Sequence, residues 1–258
     1  MRQEGPAEEG DSRNVFRFGG ENLFRNDLSK RELKKYYDKF FAQTEFDNPD
    51  EEVAQRFLRT LLKKARVPTG AAVLDVGCAT GFYAEQFRRL GYRAFGLDIS
   101  SVAITKGASN YNRLPLLVGD AGALPIKRAS LDVLFMSGCS LANTSDIASI
   151  RKFIESLMDH VRDHGVLIFV GGSNLTGEFP TQSEWIHHRY SEILNFVDRE
   201  ALNVEGPYIT AVKLAGMIGR LSLTKTLSLA LRLLGIKKTW SIIYFVRKKG
   251  AGSSLRSK

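Results

Sequence analysis

Residues 71–83, AAVLDVGCATGFY, and residues 92–100, YRAFGLDIS, decide the fold between them. An apolar run from Ala71 to Val76, interrupted by Asp75, meets small residues at alternate positions: Gly77, Ala79 and Gly81. Buried parallel strands read as such runs, and small residues let the backbone bend sharply and approach a ligand closely. The helix-capable FYAEQFRRL comes next. A second short strand, Tyr92 to Leu97, then delivers Asp98, 17 residues after Gly81. A carboxylate at the tip of the second strand is where a doubly wound sheet hydrogen-bonds the hydroxyls of a ribose. The first half of the chain therefore reads as a nucleoside site.

A dinucleotide fingerprint needs G-x-G-x-x-G, whereas this loop spaces its glycines G-x-x-x-G with an alanine between. An NAD(P) oxidoreductase fits poorly for that reason. The string DVGCATG, residues 75–81, closely resembles motif I of the class I S-adenosylmethionine (SAM) dependent methyltransferases, D/E-x-G-x-G-x-G, with Ala79 in place of the middle glycine. The resemblance covers roughly Tyr36 to Val170 and the final strand. It implies SAM as cofactor and S-adenosylhomocysteine (SAH) as product. The implied fold is a doubly wound, seven-stranded, mostly parallel sheet with an N-terminal helical cap and an insert after strand five.

The resemblance also implies roles for residues beyond the loop. Asp75, Gly77, Cys78, Ala79 and Gly81 form the bend around the aminoacyl tail, and Asp98 with Ile99 meets the ribose. Asp120 and Ala121, just past the third strand in VGDAGALPI, read the adenine. Ser137, Gly138 and Cys139 lie near the sulfonium, at the carboxyl edge where open α/β sheets bind ligands. Tyr37, in the cap segment YYDKFF, sits near the methionine end, although core packing explains such aromatics equally well. Asn143 is a candidate for the acceptor side, and the run Asn143–Thr144–Ser145–Asp146 also reads as a helix cap.

Further out, residues 1–29 read as a flexible leader and 30–70 as the cap. In the second helix of that cap, Asn48 is the expected cap residue, with Pro49 at the first helical position. Strand and helix then alternate: strand 71–76, helix 80–90, strand 92–97, helix 100–109, strands 114–118 and 131–137, helix 145–162, strand 165–170, and a last strand, Trp240 to Val246. The SAM-binding domain is expected over 71–247. An insert over 171–210 holds Trp185, His187, His188 and Tyr190, and in the resembling family such an insert builds the acceptor pocket. Adjacent helical histidines point about 100° apart, so one of His187 and His188 at most is a candidate general base. Residues 211–235 read as one or two basic amphipathic helices, and 248–258 as a loose tail.

Composition narrows the function classes. Hydrophobic content of 43% suits a globular chain. Cys78 and Cys139 give neither a disulfide framework nor metal spacing, and read as buried thiols of a cytoplasmic protein. No spanning helix is expected. The net charge of +9 is uneven: 11 Lys/Arg and no acid lie beyond residue 206, leaving −2 on the first 206 residues. That basic quarter keeps an anionic or lipid-like acceptor open, and RNA as a less favoured one, since no RNA-binding module is recognisable. A homodimer and a non-catalytic scaffold also stay open. The carboxylate pair needed after strands four and five for metal-assisted transfer is missing, and so are an N/D-P-P-Y/F motif and a Pro-Cys nucleophile. Metal-independent methyl transfer to an oxygen or nitrogen of a small molecule, such as a sugar, an amine or a secondary metabolite, is the reading that remains.

Overall fold

A computed structural model describes residues 28–44, 48–174, 188, 190–210, 218–220 and 239–249. Helix α1 (Lys30–Gln43) starts at a capping box, with the Ser29 side chain accepting from the Glu32 amide and Glu32 reaching back to the Ser29 amide. Helix α2 (Glu51–Lys64) is capped by Asp50, whose carboxylate accepts from the Val53 amide at 3.1 Å, rather than by Asn48. A full negative charge suits the positive helix start better than a neutral amide, and Pro49 falls outside the helix.

The alternating core follows: β1 (Ala72–Val76), α3 (Phe82–Arg89), β2 (Arg93–Asp98), α4 (Ser101–Asn110), β3 (Leu116–Val118), β4 (Leu131–Ser137), α5 (Ile147–Met158) and β5 (Val161–Asn174). Helix α5 is shorter than the 145–162 expected. Asp146 caps it, accepting from the Ala148 and Ser149 amides. The strand expected at 165 already begins at Val161, pairing with Leu131 before a register shift restarts the ladder at Val133 and Val166. A short helix α6 (Tyr190–Ile193), β6 (Leu202–Thr210), β7 (Ile218–Arg220) and β8 (Thr239–Lys248) complete the described chain.

The sheet runs β3-β2-β1-β4-β5-β8-β6-β7. Strands β1 to β5 are parallel, and β8 runs antiparallel between β5 and β6. This is the doubly wound, mostly parallel seven-stranded arrangement, with the three-residue β7 added at the β6 edge. At 218–220 the chain is thus extended where a basic helix was expected, and the rest of 211–235 lies outside the described residues.

Alternation along each strand divides the core. Val73, Val133, Phe135, Val166, Ile168, Ile243 and Phe245 face Leu58, Leu61 and Leu62 of α2. Leu74, Leu134, Met136, Leu167, Phe169 and Tyr244 face Ile150, Ile154 and Leu157 of α5. Each such buried side chain contributes about 1.5–3 kcal/mol. A sheet sealed on both faces leaves its carboxyl edge as the place for chemistry.

Candidate functional site

The loop after β1 turns through three left-handed residues, Gly77 (φ 71°), Ala79 (φ 51°) and Gly81 (φ 83°). The Gly77 and Cys78 amides both donate to the Leu97 carbonyl, at 2.8 and 3.1 Å, so the bend is sewn to β2. Helix α4 lies directly on the loop: a Cβ on Gly107 would fall 2.3 Å from the Thr80 carbonyl oxygen. Only glycine allows that approach.

Asp98 ends β2 with its carboxylate oriented by backbone. One oxygen accepts from the Ala79 amide at 2.9 Å and the other from the Ser100 amide at 2.8 Å. The residue is 7% exposed. Burial raises its carboxyl above the ordinary range, opposed by hydrogen bonds from the Ser100, Ala79 and Ile99 amides. Each carboxylate oxygen retains a second lone pair for a ligand hydroxyl.

Asp75, one strand over, is buried. It is bonded to the Ala84 amide at the start of α3, yet its Oδ2 has no partner among the described residues. Burial, then the Asp98 charge, pushes its carboxyl up to about 8. An orphaned buried oxygen is costly unless something cationic or donating meets it. The two thiols beside the loop are inert: burial raises Cys78, and pushes Cys139 up to about 12.

Asp120 caps a turn of 3-10 helix, Ala121–Ala123, by accepting from the Gly122 amide at 2.8 Å, and pairs with Lys30 of α1. Ala121 is buried beneath it. Ser137 ends β4, Gly138 is left-handed (φ 66°), and Cys139 stands against Gly77. Tyr37 is half-buried on α1 among Tyr36 and Phe41. The fold thus gathers the ends of β1, β2, β3 and β4 and the cap helix along one edge.

On the acceptor side, Asn143 is buried in the loop after β4. His188 is buried too, edge-on to Phe196 with ring centroids 4.9 Å apart and Nδ1 3.7 Å from Glu192. Burial lowers its pKa, against the Glu192 charge and a hydrogen bond with the Thr144 backbone. The imidazole is therefore neutral at pH 7 and joins the segment after β5 to the loop after β4. Tyr190 opens α6, whereas Trp185 and His187 lie outside the described residues.

Sequence reading missed Asp38, Ser100, Lys30 and Lys34. Ser100 had a signal, as a serine directly before a helix. No spacing could have paired it with Asp38, 62 residues away. A cavity of about 430 Å³ lined by Arg66, Asp132, Arg162 and His164 opens at the opposite, amino edge of the strands and touches none of these residues. Among the described residues no group of three His, Cys, Asp or Glu is arranged to hold a metal, and no helix is long and apolar enough to cross a membrane.

Comparison with known proteins agrees with this geometry. Residues 73–165 match the family described as "Methyltransferase domain". Malonyl-acyl-carrier-protein O-methyltransferase of Yersinia pestis is 28% identical over 110 residues, 42% of this chain and 39% of that protein. The mitochondrial ubiquinone biosynthesis O-methyltransferase of Schizosaccharomyces pombe is 25% identical over 114 residues, 43% and 42% of the two chains. The chain thus spans about two fifths of the length of these curated relatives. Among solved structures, a SAM-dependent methyltransferase from Clostridium acetobutylicum superposes with a TM-score of 0.57 at 15% identity, covering 85% of this chain and 99% of that one. Magnesium protoporphyrin IX methyltransferase from Synechocystis PCC 6803, solved with bound SAM, gives 0.55 at 14%, covering 85% and 98%. Identities this low speak to the fold.

Proposed function

For a chain that carries a class I SAM-dependent methyltransferase domain, we propose transfer of the SAM methyl group to an oxygen of a small acceptor. The observation that carries the reading is the Asp98 carboxylate, fixed by the Ala79 and Ser100 amides beside a loop with three left-handed residues at alternate positions. The residues present fit the cofactor. Asp98 would take the ribose hydroxyls, Asp120 and Ala121 the adenine, and the Gly77–Gly81 loop with Asp75 the aminoacyl end. When bound, SAM supplies an activated methyl group on a positively charged sulfur.

What remains for the protein is alignment in a dry pocket. Asn143 and His188 border the place where an acceptor would meet the ends of β4 and β5. A base is needed only for an acceptor that keeps its proton at neutral pH, and a His188 held neutral is able to accept one. Oxygen rather than nitrogen is favoured by the curated relatives, which are named as O-methyltransferases acting on a carrier-borne malonyl group and in quinone biosynthesis.

The cofactor half is tested by titrating SAH into the protein calorimetrically. Replacing Asp98 by Ala removes charge-assisted hydrogen bonds and should weaken SAH by about 2–3 kcal/mol, on the order of a hundredfold. Unchanged affinity would overturn the ribose assignment. The acceptor half is tested with isotope-labelled SAM and a metabolite extract, with label expected in a small methyl ester or ether. Label confined to RNA would refute the small acceptor.

A further inference from the structure

We propose that Asp38 is a positioning residue, a latch that holds the cap helix α1 over the nucleoside site and ties its closure to the ribose carboxylate. The inference rests on the SAM reading of that site and goes beyond it, since Asp38 belongs neither to the loop motif nor to the strand-end acids.

The contacts form one continuous chain. The Ala79 amide of the loop donates to Asp98, and Asp98 also accepts from the Ser100 amide. The Ser100 hydroxyl accepts from the Ala103 amide at 3.1 Å, capping α4, and donates to Asp38 at 2.8 Å. Asp38 accepts in addition from the Val102 amide at 3.2 Å and from the Ser101 hydroxyl at 3.3 Å. A carboxylate on one helix thus serves the start of another, where amides and macrodipole favour negative charge. Lys34, one turn before Asp38 on α1, reaches its other oxygen at 2.5 Å and the Ser101 hydroxyl at 2.8 Å. Burial works against the charge on Asp38, but the Lys34 and Ser100 hydrogen bonds and the Val102 amide outweigh it and hold the carboxyl below its ordinary range.

Position matters as much as bonding. Lys30, Lys34 and Asp38 recur every four residues and so share one ridge of α1. Lys30 pairs with Asp120 and Asp38 bonds to the residues just after Asp98, so the ridge bridges the two acids assigned to adenine and ribose. Tyr37 is carried by the same helix. The neighbouring ridge, Arg31, Lys35 and Lys39, faces solvent. Any ligand that tightens the ends of β2 and β3 steadies the anchor points of α1, and by reciprocity a steadier α1 slows the ligand's escape.

The test pairs two readouts on the full chain, SAH binding and amide hydrogen exchange across residues 30–43. In the wild-type protein SAH should slow exchange in α1. Asp38→Ala should raise the SAH dissociation constant about tenfold, mainly through faster dissociation, and abolish that added protection. Asp38→Asn keeps an acceptor for Ser100 and Val102 and should recover part of both effects. Arg31→Ala, on the solvent ridge, should change neither. Two outcomes would overturn the latch: α1 exchanging identically in the wild type and Asp38→Ala, or Asn failing to recover anything that Ala loses. Should wild-type protein bind no SAH, the cofactor reading fails. Exchange of α1 in the ligand-free proteins, faster in Asp38→Ala than in wild type, then still decides whether Asp38 holds the helix.

Discussion

The nucleoside side of the molecule, at the ends of β1, β2 and β3, is built by backbone, and the acceptor side, beyond β4 and β5, by side chains. On the first side, left-handed turns and a helix lying against the loop at Gly107 shape the bend, and backbone amides donate to Asp98, Asp75 and Asp120. On the second, among the described residues, a buried imidazole, edge-on to Phe196 and bonded to the Thr144 backbone, joins the loop after β4 to the segment after β5 beside apolar packing of Ala142 and Phe196. Backbone geometry constrains residue type strongly, because few residues tolerate left-handed turns or close approach. A packing contact can be met by many residues, so an acceptor pocket is free to change while the cofactor cradle stays.

The largest effect that contrast implies is a pH dependence confined to the nucleoside side. Asp75 is held up to about 8 against an ordinary 3.8, by burial and then by the charge on Asp98. Among the described residues, Tyr83, Cys78 and Cys139 also feel its charge; burial keeps all three neutral, and a phenol or thiol supplies no compensating cation. The folded, ligand-free chain therefore keeps a proton that the unfolded chain surrenders from about pH 4, and stability falls as pH rises until the carboxyl ionises near 8. A bound cation favours the carboxylate instead. SAM should then release up to one proton on binding at pH 7, and its affinity should climb by at most about tenfold per pH unit between pH 6 and 8 before levelling. Calorimetry in two buffers of different ionisation enthalpy reads that proton directly. Asp75→Asn should flatten the profile. SAH separates the two cations: a matching slope assigns Asp75 to the ammonium, and a shallower one to the sulfonium. Equal SAM affinity at pH 6 and 8 would break the assignment.

An effect of about 2 kcal/mol is expected on the acceptor side. His188→Ala removes a buried ring from its place against Phe196 and leaves Thr144 without that bond. Melting temperature should drop by several degrees and KM for the acceptor should rise, while SAH affinity stays within twofold. His188→Phe restores the packing and should recover most of the stability. If kcat collapses in the Phe variant with KM and stability intact, the imidazole is the base and the acceptor side is no longer mere packing.

This division also explains what could be read without a structure. The bend over Gly77–Gly81, the position of Asp98 at the end of β2 and of Asp120 just past β3, and the succession of β1 to β5 along the chain were legible, because a left-handed loop selects small residues and buried parallel strands read as apolar runs. The cap of α2 was misread by two residues, since Asn48 and Asp50 both suit a helix start and only the carboxylate reaches the Val53 amide. The α5–β5 junction was misplaced because the run Val161 to Val166 mixes apolar and charged residues. The strand there starts, shifts register and restarts. Extended chain at 218–220 was hidden by Leu-rich surroundings with helical spacing, where pairing with β6 overrides local pattern. Asp38 was invisible for a different reason: its partners belong to another helix, and nothing in YYDKFF distinguishes a latch from a solvated acid.

The smallest effect sharpens the backbone half of the comparison. Ala79 occupies the position at which the resembling motif has glycine, and it does so with φ at 51°. A left-handed alanine costs roughly 1–2 kcal/mol, whereas glycine there would surrender about 0.4–1 kcal/mol of unfolded-chain entropy. Ala79→Gly should therefore stabilise the fold by about 0.5–1 kcal/mol, a rise of roughly 2 °C in melting temperature for a domain of this size. The amide that Ala79 gives to Asp98 is unchanged by the substitution, so SAH affinity should remain within twofold of the wild type. If the glycine variant melts lower, the alanine methyl is packed rather than merely tolerated. The loop would then be fixed partly by a side chain, and the contrast between its two sides would be smaller than the hydrogen bonds imply.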